Sequence, residues 1–354
     1  MKRFKFNVNI LLLAIFASFA VVGCSDSDSD DEILVNKTAL TSKITEAKTL
    51  IAESEEGTAD GQYQPGSKAV LQASVDLAQA VVDDLEAEQL AVDNTVIALG
   101  KAIDAYDAQK VVPIAPEDLV GHWTFDDGTG KTVTDYSGNN FTGEFKNGPA
   151  DWGAGFPEWT ADRYGNEAKA ILFDKGANIE VPYNTALNPS NLSISVWVRI
   201  DETRNNRFMG LHSWNGYKFE VQDANKPFFT VASTEDIHNR DTDPSLELNT
   251  WYHLVVTFGG GETVFYINGT ETMRWDDTPG TAKPLATPYN LVFGQDFPTN
   301  KYAASSDNYD QDQIIPLAWG SYFHGAMDEV RIYKSVLSTS QVASIYNLEK
   351  VIEE

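Results

Sequence analysis

The sequence predicts a multidomain chain: an N-terminal three-helix bundle, then an all-β antiparallel sandwich of jelly-roll type with a short C-terminal helix. Three observations point there. Apolar residues recur at helical spacing from about 33 to 112. From 119 onward the period falls to two, in many short runs parted by Gly, Asn, Asp and Pro turns such as Asn268-Gly269. Between the two regimes lies VVPIAP at 111–116, whose prolines stop a helix and stiffen the joint. A hydrophobic content of 42% with 11% aromatic residues is enough for a real core in a chain of 354 residues. The net charge of −26 argues against nucleic acid or an anionic membrane surface as ligand. Cys24 is the one cysteine, which excludes an internal disulfide and a Cys-rich zinc site.

In chain order, residues 1–24 read as an export signal. Lys2, Arg3 and Lys5 give a positive start, and 10–22 is an apolar run short of a comfortable membrane span. It ends in VVGC at 21–24, which resembles a bacterial lipoprotein signal with Cys24 as the lipidated residue. SDSDSDDE at 25–32 self-repels and reads as an extended acidic tether. Acidic residues at that place resemble the surface-export signal of Bacteroidetes lipoproteins, which implies an outer-membrane protein facing the cell exterior. Within 33–112, Ile33, Leu40, Ile44, Ala47 and Ile51 form one stripe. Leu71, Val75, Ala78, Val82 and Leu85 form a second, and Val92, Val96, Leu99, Ile103 and Tyr106 a third. Gly57 to Gly66 separates the first helix from the second, with Ser67 as the expected N-cap. Three such helices with short connections predict an antiparallel bundle. GQY at 61–63 with the Ala-rich helices resembles FIVAR-like three-helix modules of bacterial surface proteins. The stripes carry no chemistry, so the bundle reads as a stalk or a protein-docking surface.

After the linker at 113–118, the expected strands are 119–126, 141–145, 168–173, 178–181, 192–200, 207–213, 217–222, 228–233, 251–258, 263–267, 270–274, 290–293 and 323–333. A short helix at 338–348 ends the domain, which spans 119–349. Residues 296–317 show no period and form the longest loop. The last strand finds no apolar partner beyond it, so it is expected to pair with 119–126 and shut the sandwich. Strict alternation along it would put Asp328 on the apolar face of Val330 and Ile332.

GHWTFDDG at 121–128, DYSGNN at 135–140, LSISVWV at 192–198, WYHLVVTF at 251–258, FYING at 265–269 and MDEVRIY at 327–333 follow in that order. Together they resemble the laminin-G-like, concanavalin A-like lectin/glucanase domain over nearly all of 119–349. This superfold hosts lectins, hydrolases, adhesins and inert spacers, so the resemblance speaks to fold more than to activity.

Three kinds of site follow. A carboxylate facing a core needs neutralising, and a structural Ca2+ held by Asp328, Asp126 and Asn139 would do it; the resemblance implies such an ion beside the last strand. The alternative is that Asp328 accepts backbone N–H bonds and Asp135 caps its own turn. A glycan surface is expected from Trp214, His212, Trp275, Trp319, Arg199 and Glu220, since sugars are bound by flat aromatics beside fixed donors and acceptors. Trp123, Trp197 and Trp251 read as core, while Trp152 and Trp159 fit either role. For catalysis there is no Glu-x-Asp-x-x-Glu strand, Gly-x-Ser-x-Gly elbow or His-Glu-x-x-His helix. The expectation is therefore a non-enzymatic, lipid-anchored protein that binds polysaccharide at the cell surface, beside transporter or hydrolase partners. A protein-binding adhesin is the alternative, and a hydrolase with atypical carboxylates a further one.

Overall fold

The computed structural model describes residues 35–303 and 315–351, so the export signal, Cys24 and the acidic tether lie outside the described residues. Three helices come first: α1 (Thr38–Glu53), α2 (Ser67–Asp83) and α3 (Gln89–Asp107). Leu40, Ile44, Ala47, Leu71, Val75, Ala78, Val92, Leu99, Ile103 and Tyr106 pack into one core, as the stripes require. Tyr63 stacks on Tyr106 at 4.3 Å and closes the end of the bundle. Two details differ from expectation. Leu85 sits in the α2–α3 turn and is 93% exposed, because α2 stops at Asp83 and leaves it off the stripe. Gly66, at φ 89°, is the N-cap of α2, and Ser67 is the first helical residue instead.

The strands follow as β1 (Leu119–Trp123), β2 (Thr132–Val133), β3 (Gly143–Lys146), β4 (Glu158–Thr160), β5 (Ala170–Phe173) and β6 (Asn178–Val181). Next come β7 (Leu192–Ile200), β8 (Asn206–Leu211), β9 (Tyr217–Val221), β10 (Pro227–Ala232), β11 (Ile237–Asp241) and β12 (Trp251–Gly259). The chain ends with β13 (Glu262–Ile267), β14 (Thr270–Trp275), β15 (Leu291–Phe293), β16 (Tyr302–Ala303), β17 (Ile315–Pro316), β18 (Gly325–Tyr333) and helix α4 (Thr339–Glu349). One sheet runs β14-β13-β12-β7-β18-β5-β4, with β1 beside β18; the other runs β11-β10-β9-β8-β15-β6-β3-β2. Alternate residues of both sheets, among them Ile194, Val196, Val198, Phe208, Phe219, Phe229, Leu254, Val256 and Phe293, interdigitate in a single core.

The first and last strands do lie side by side, with Gly121 opposite Ile332 and Trp123 opposite Val330. The closing strand, however, is not strictly alternating. A bulge between Asp328 and Arg331, with Glu329 at φ 51°, resets the parity. Met327 and Val330 face the core, whereas Asp328, opposite Trp197, faces outward. There Asp328 is hydrogen-bonded by Arg163, which takes the place beside the carboxyl where a metal ion was expected. Asp126 lies at the surface 3.5 Å from Lys169, and Asn139 donates to the carbonyls of Leu119 and Val120 at 3.3 and 2.9 Å. The three expected ligands are thus spent on separate partners. Among the described residues no group of three or more His, Cys, Asp or Glu is placed to hold a metal.

Helix α4 covers the outward face of the first sheet. Beneath it Glu349 accepts from Trp197 Nε1 at 2.8 Å and from Arg331 at 2.6 Å, while Arg331 and His122 both reach Glu329, at 2.7 and 2.8 Å. On its other side α4 holds the bundle. Ser344 Oγ accepts from Val112 N at 3.1 Å, and Asn347 and Gln341 donate to the carbonyls of Ala108 and Pro113 at 3.1 and 2.8 Å. No helix among the described residues is long and apolar enough to cross a membrane.

Candidate functional site

The outward face of the second sheet carries the densest chemistry outside the α4 layer. Arg207 on β8 and Glu220 on β9 are direct cross-strand partners, and Lys218 sits one pleat along β9. The inward neighbours Phe208, Phe219 and Val221 anchor both strands in the core, so these three side chains must point away from it. The loop after β15 brings Asp296 over this face. Gly210 makes room for it: a Cβ there would fall 2.5 Å from Asp296 Cα.

Four charges then close on one another. Lys218 Nζ donates to Glu220 Oε1 at 2.7 Å. Arg207 Nε lies 3.2 Å from Glu220 Oε2, and Nη1 donates to Asp296 Oδ2 at 2.8 Å and to the Trp319 carbonyl at 2.9 Å. Asp296 also accepts from Tyr302 OH at 2.5 Å and from Ser213 Oγ at 3.2 Å. Lys218, Glu220 and Asp296 are all essentially buried, so the arrangement is a fixed floor and not a set of mobile surface charges. Burial pushes the Lys218 ammonium below its ordinary pKa, with Arg207 adding to the effect and Glu220 opposing it. Burial also works against the Arg207 charge, but Asp296 and Glu220 outweigh it and raise its pKa. Burial and the Asp296 carboxylate together hold the Tyr302 phenol well above its usual value.

Aromatic rings wall this floor. Lys218 Nζ lies 4.7 Å from the centre of the Trp214 ring. Trp214 in turn lines a cleft of about 360 Å³ with Asn215, Ser233, Glu235, Asp236 and Lys283. Trp319 is 58% exposed on the loop whose carbonyl Arg207 grips. Behind it Trp152 packs on Tyr302 and Tyr322 at 4.9 and 5.2 Å.

Of the residues expected from the sequence, Trp214 and Glu220 come together here through Lys218, and Trp319 joins them by its backbone carbonyl. His212 is beside them but buried, at φ 54° and stacked on Tyr289 at 4.0 Å, where it shapes the turn. Arg199 does not join them. It stands on the first sheet, bidentate to Asp201 at 2.8 and 2.9 Å, so the expectation of one sheet face shared with Glu220 fails. Trp275 also lies apart from them, on the first sheet, half-buried against the core and donating to the Asp241 carbonyl at 2.9 Å. Arg207 and Asp296 were missed. A sharper reading of the β8–β9 hairpin would have found Arg207, because its register sets an Arg opposite a Glu. Asp296 had no such signal, lying in a stretch without period.

A profile of the family described as the concanavalin A-like lectin/glucanases superfamily matches residues 173–343, which include every residue of this floor. A search of the curated proteins finds no match. Among solved structures, domain 4 of a GH43 extracellular arabinanase from Geobacillus stearothermophilus, in complex with arabinotriose, is 21% identical. That likeness covers 65% of this chain and 98% of the domain, with a TM-score of 0.47. The botulinum neurotoxin serotype D/C binding domain is 14% identical over 66% of this chain, with a TM-score of 0.45. This chain spans 52% of that domain's length.

Proposed function

We propose that this is an exported, lipid-anchored protein whose sandwich binds neutral polysaccharide at the cell surface without cleaving it. The observation that carries the glycan reading is the cleft beside Trp214, backed by the buried floor of Arg207, Lys218, Glu220 and Asp296, with Trp319 exposed on the loop whose carbonyl Arg207 holds. A sugar presents an apolar C–H face and a ring of hydroxyls. Flat aromatics suit the first, and the polar lining of the cleft beside Trp214, with Asn215, Ser233, Glu235, Asp236 and Lys283, suits the second. Two cations balanced by two carboxylates leave no surplus positive charge for a uronate or sialate, which favours a neutral ligand. Both carboxylates are already engaged, Glu220 by Lys218 and Arg207, Asp296 by Arg207, Ser213 and Tyr302. That commitment supports a binding role over the acid and nucleophile roles of a hydrolase.

Lipidation at Cys24, a Bacteroidetes-type surface location and the FIVAR-like character of the bundle rest on resemblance in the sequence. In this reading the bundle spaces the sandwich from the membrane, and surface transporters or hydrolases use the captured polysaccharide.

Affinity electrophoresis against neutral and acidic polysaccharides tests the proposal. Retardation is expected on a neutral glycan, with Trp319→Ala and Trp214→Ala each weakening it at least tenfold. No retardation on any glycan, with retention on matrix proteins instead, would overturn it in favour of an adhesin. Release of reducing ends would overturn it in favour of a hydrolase.

A further inference from the structure

Away from the charged floor, a cavity of about 330 Å³ lies in the bundle, between the start of α2 and the end of α3. Val70, Leu71, Ala102, Ala105 and Tyr106 give it an apolar wall. Val70 is 71% exposed, an apolar surface that a ligand in the cavity would cover. Three polar side chains share the cavity with this wall. Ser67 and Gln64 are each only 8% exposed, and both line it. The Ser67 hydroxyl oxygen is buried with no hydrogen-bond partner among the described residues, a costly state for a group that can both donate and accept. Gln64 is held through its backbone, by the Gln109 carbonyl and the Ser67 amide, both at 3.1 Å, which leaves its side-chain amide unspent. Lys350, which directly follows α4, reaches the same cavity. Its ammonium donates to Asn347 Oδ1 at 2.8 Å and has two protons left.

The charge around this cavity is the reverse of the chain's. The sequence has 52 acidic residues against 26 Lys and Arg, yet the lining includes one lysine and no carboxylate. Helix α2 adds to the positive side. Its N-terminus opens here at Gly66 and Ser67, the N-cap glycine offers it no side chain, and its first turn carries no acid. Glu56 accepts from Lys68 N at 2.7 Å but does not line the cavity. Burial lowers the pKa of Lys350, a cost that a bound anion would offset. At about 30 Å³ per water-sized group, the volume suits a molecule of about ten heavy atoms. We infer that the cavity binds a linear aliphatic carboxylate of that size, its chain along Val70, Leu71, Ala102 and Ala105 and its head toward Ser67, Gln64 and Lys350. Because Lys350 lies beyond α4, the bound head group would tie the end of that helix to the bundle.

The test is isothermal titration of the full chain with sodium octanoate, which should bind saturably at one equivalent. Octylamine hydrochloride, with the same chain and the opposite head, should bind more weakly by about tenfold or more. Lys350→Met keeps the apolar stem and removes the charge, and should weaken octanoate by about tenfold or more. Ala105→Phe starts from an exposed position on α3, fills the cavity from its solvent side and should abolish binding. Circular dichroism of both variants checks that the helices persist, and Lys350→Met, outside the bundle, carries the test if Ala105→Phe does not fold. Absence of saturable binding would overturn the inference and leave a cavity closed by water. Octylamine binding as well as octanoate, or octanoate binding undiminished in either folded variant, would also overturn it by denying the anion or placing the ligand elsewhere. The cavity shares no residue with the cleft beside Trp214, so glycan binding is read separately by electrophoresis.

Discussion

His253 shows how a single buried side chain can set a pH limit. It lies on β12 beneath α4, fully buried, with Nε2 2.8 Å from Ser195 Oγ. Burial, with Arg331 and Arg163 nearby, lowers its pKa from 6.5 to about 3. The unfolded chain therefore binds a proton that the fold rejects. The stability this group contributes is full above 6.5 and is lost as pH falls through about 3, by ~1.4 kcal/mol per unit. Asp328 acts in the opposite sense. Burial raises it from 3.8 to about 8 against the pull of Arg163, so its part is present below 3.8 and lost as pH rises through 8. His253→Gln should remove the first slope, so that urea midpoints of wild type and variant converge on going from pH 7 to pH 4.5. A constant difference across that range would refute the assignment. Asp328 also marks where sequence reading stopped at this scale. Its burial was legible, but its face was not, because one bulge residue inverts a period of two and leaves no signature in MDEVRIY.

At the scale of elements, α4 does more than end the chain. Ser338 and Gln341 form a capping box, with Gln341 N donating to Ser338 Oγ at 3.2 Å and Ser338 N to Gln341 Oε1 at 2.9 Å. Ser338→Ala should cost about 1 kcal/mol in chemical denaturation. Arg331→Met should cost more, about 3–5 kcal/mol, because it leaves Glu329 and Glu349 buried without their shared cation. An Arg331 variant no weaker than the Ser338 variant would mean that the cluster is solvated and α4 only loosely seated. The position of this helix was legible to within a residue, since it has a cap and an apolar stripe. Its covering role was not, because polar Ser195, His253 and Arg331, on three neighbouring strands, look like a solvated sheet face. Strands β2, β4 and β11 escaped for another reason. Two are only two or three residues long, and β11 reads Ile-His-Asn-Arg-Asp, with too little alternation to announce a sheet edge.

For the whole molecule, the decisive contact is between modules far apart in sequence. The helical period and the proline linker predict a bundle on a stiff joint, and three helices do pack together between Thr38 and Asp107. That the joint is also clasped by Ser344, Asn347 and Gln341 of α4 depends on tertiary placement, which no local pattern encodes. The clasp sets the direction in which the sandwich faces relative to the bundle. It consists of a few hydrogen bonds and a small contact, the kind of interface across which domains normally move. Removing those bonds should therefore free the modules without unfolding either. Asn347→Ala combined with Gln341→Ala should increase the radius of gyration in solution scattering, and a dye on the bundle should tumble faster than the whole chain. The midpoint of the sandwich should fall by no more than about 2–4 °C, the size expected for about 1 kcal/mol. If scattering profiles of the variant and the wild type superimpose, the modules are held by apolar packing around Ile114 and Leu119 against Val342 and Ile345 instead, and the polar clasp is incidental.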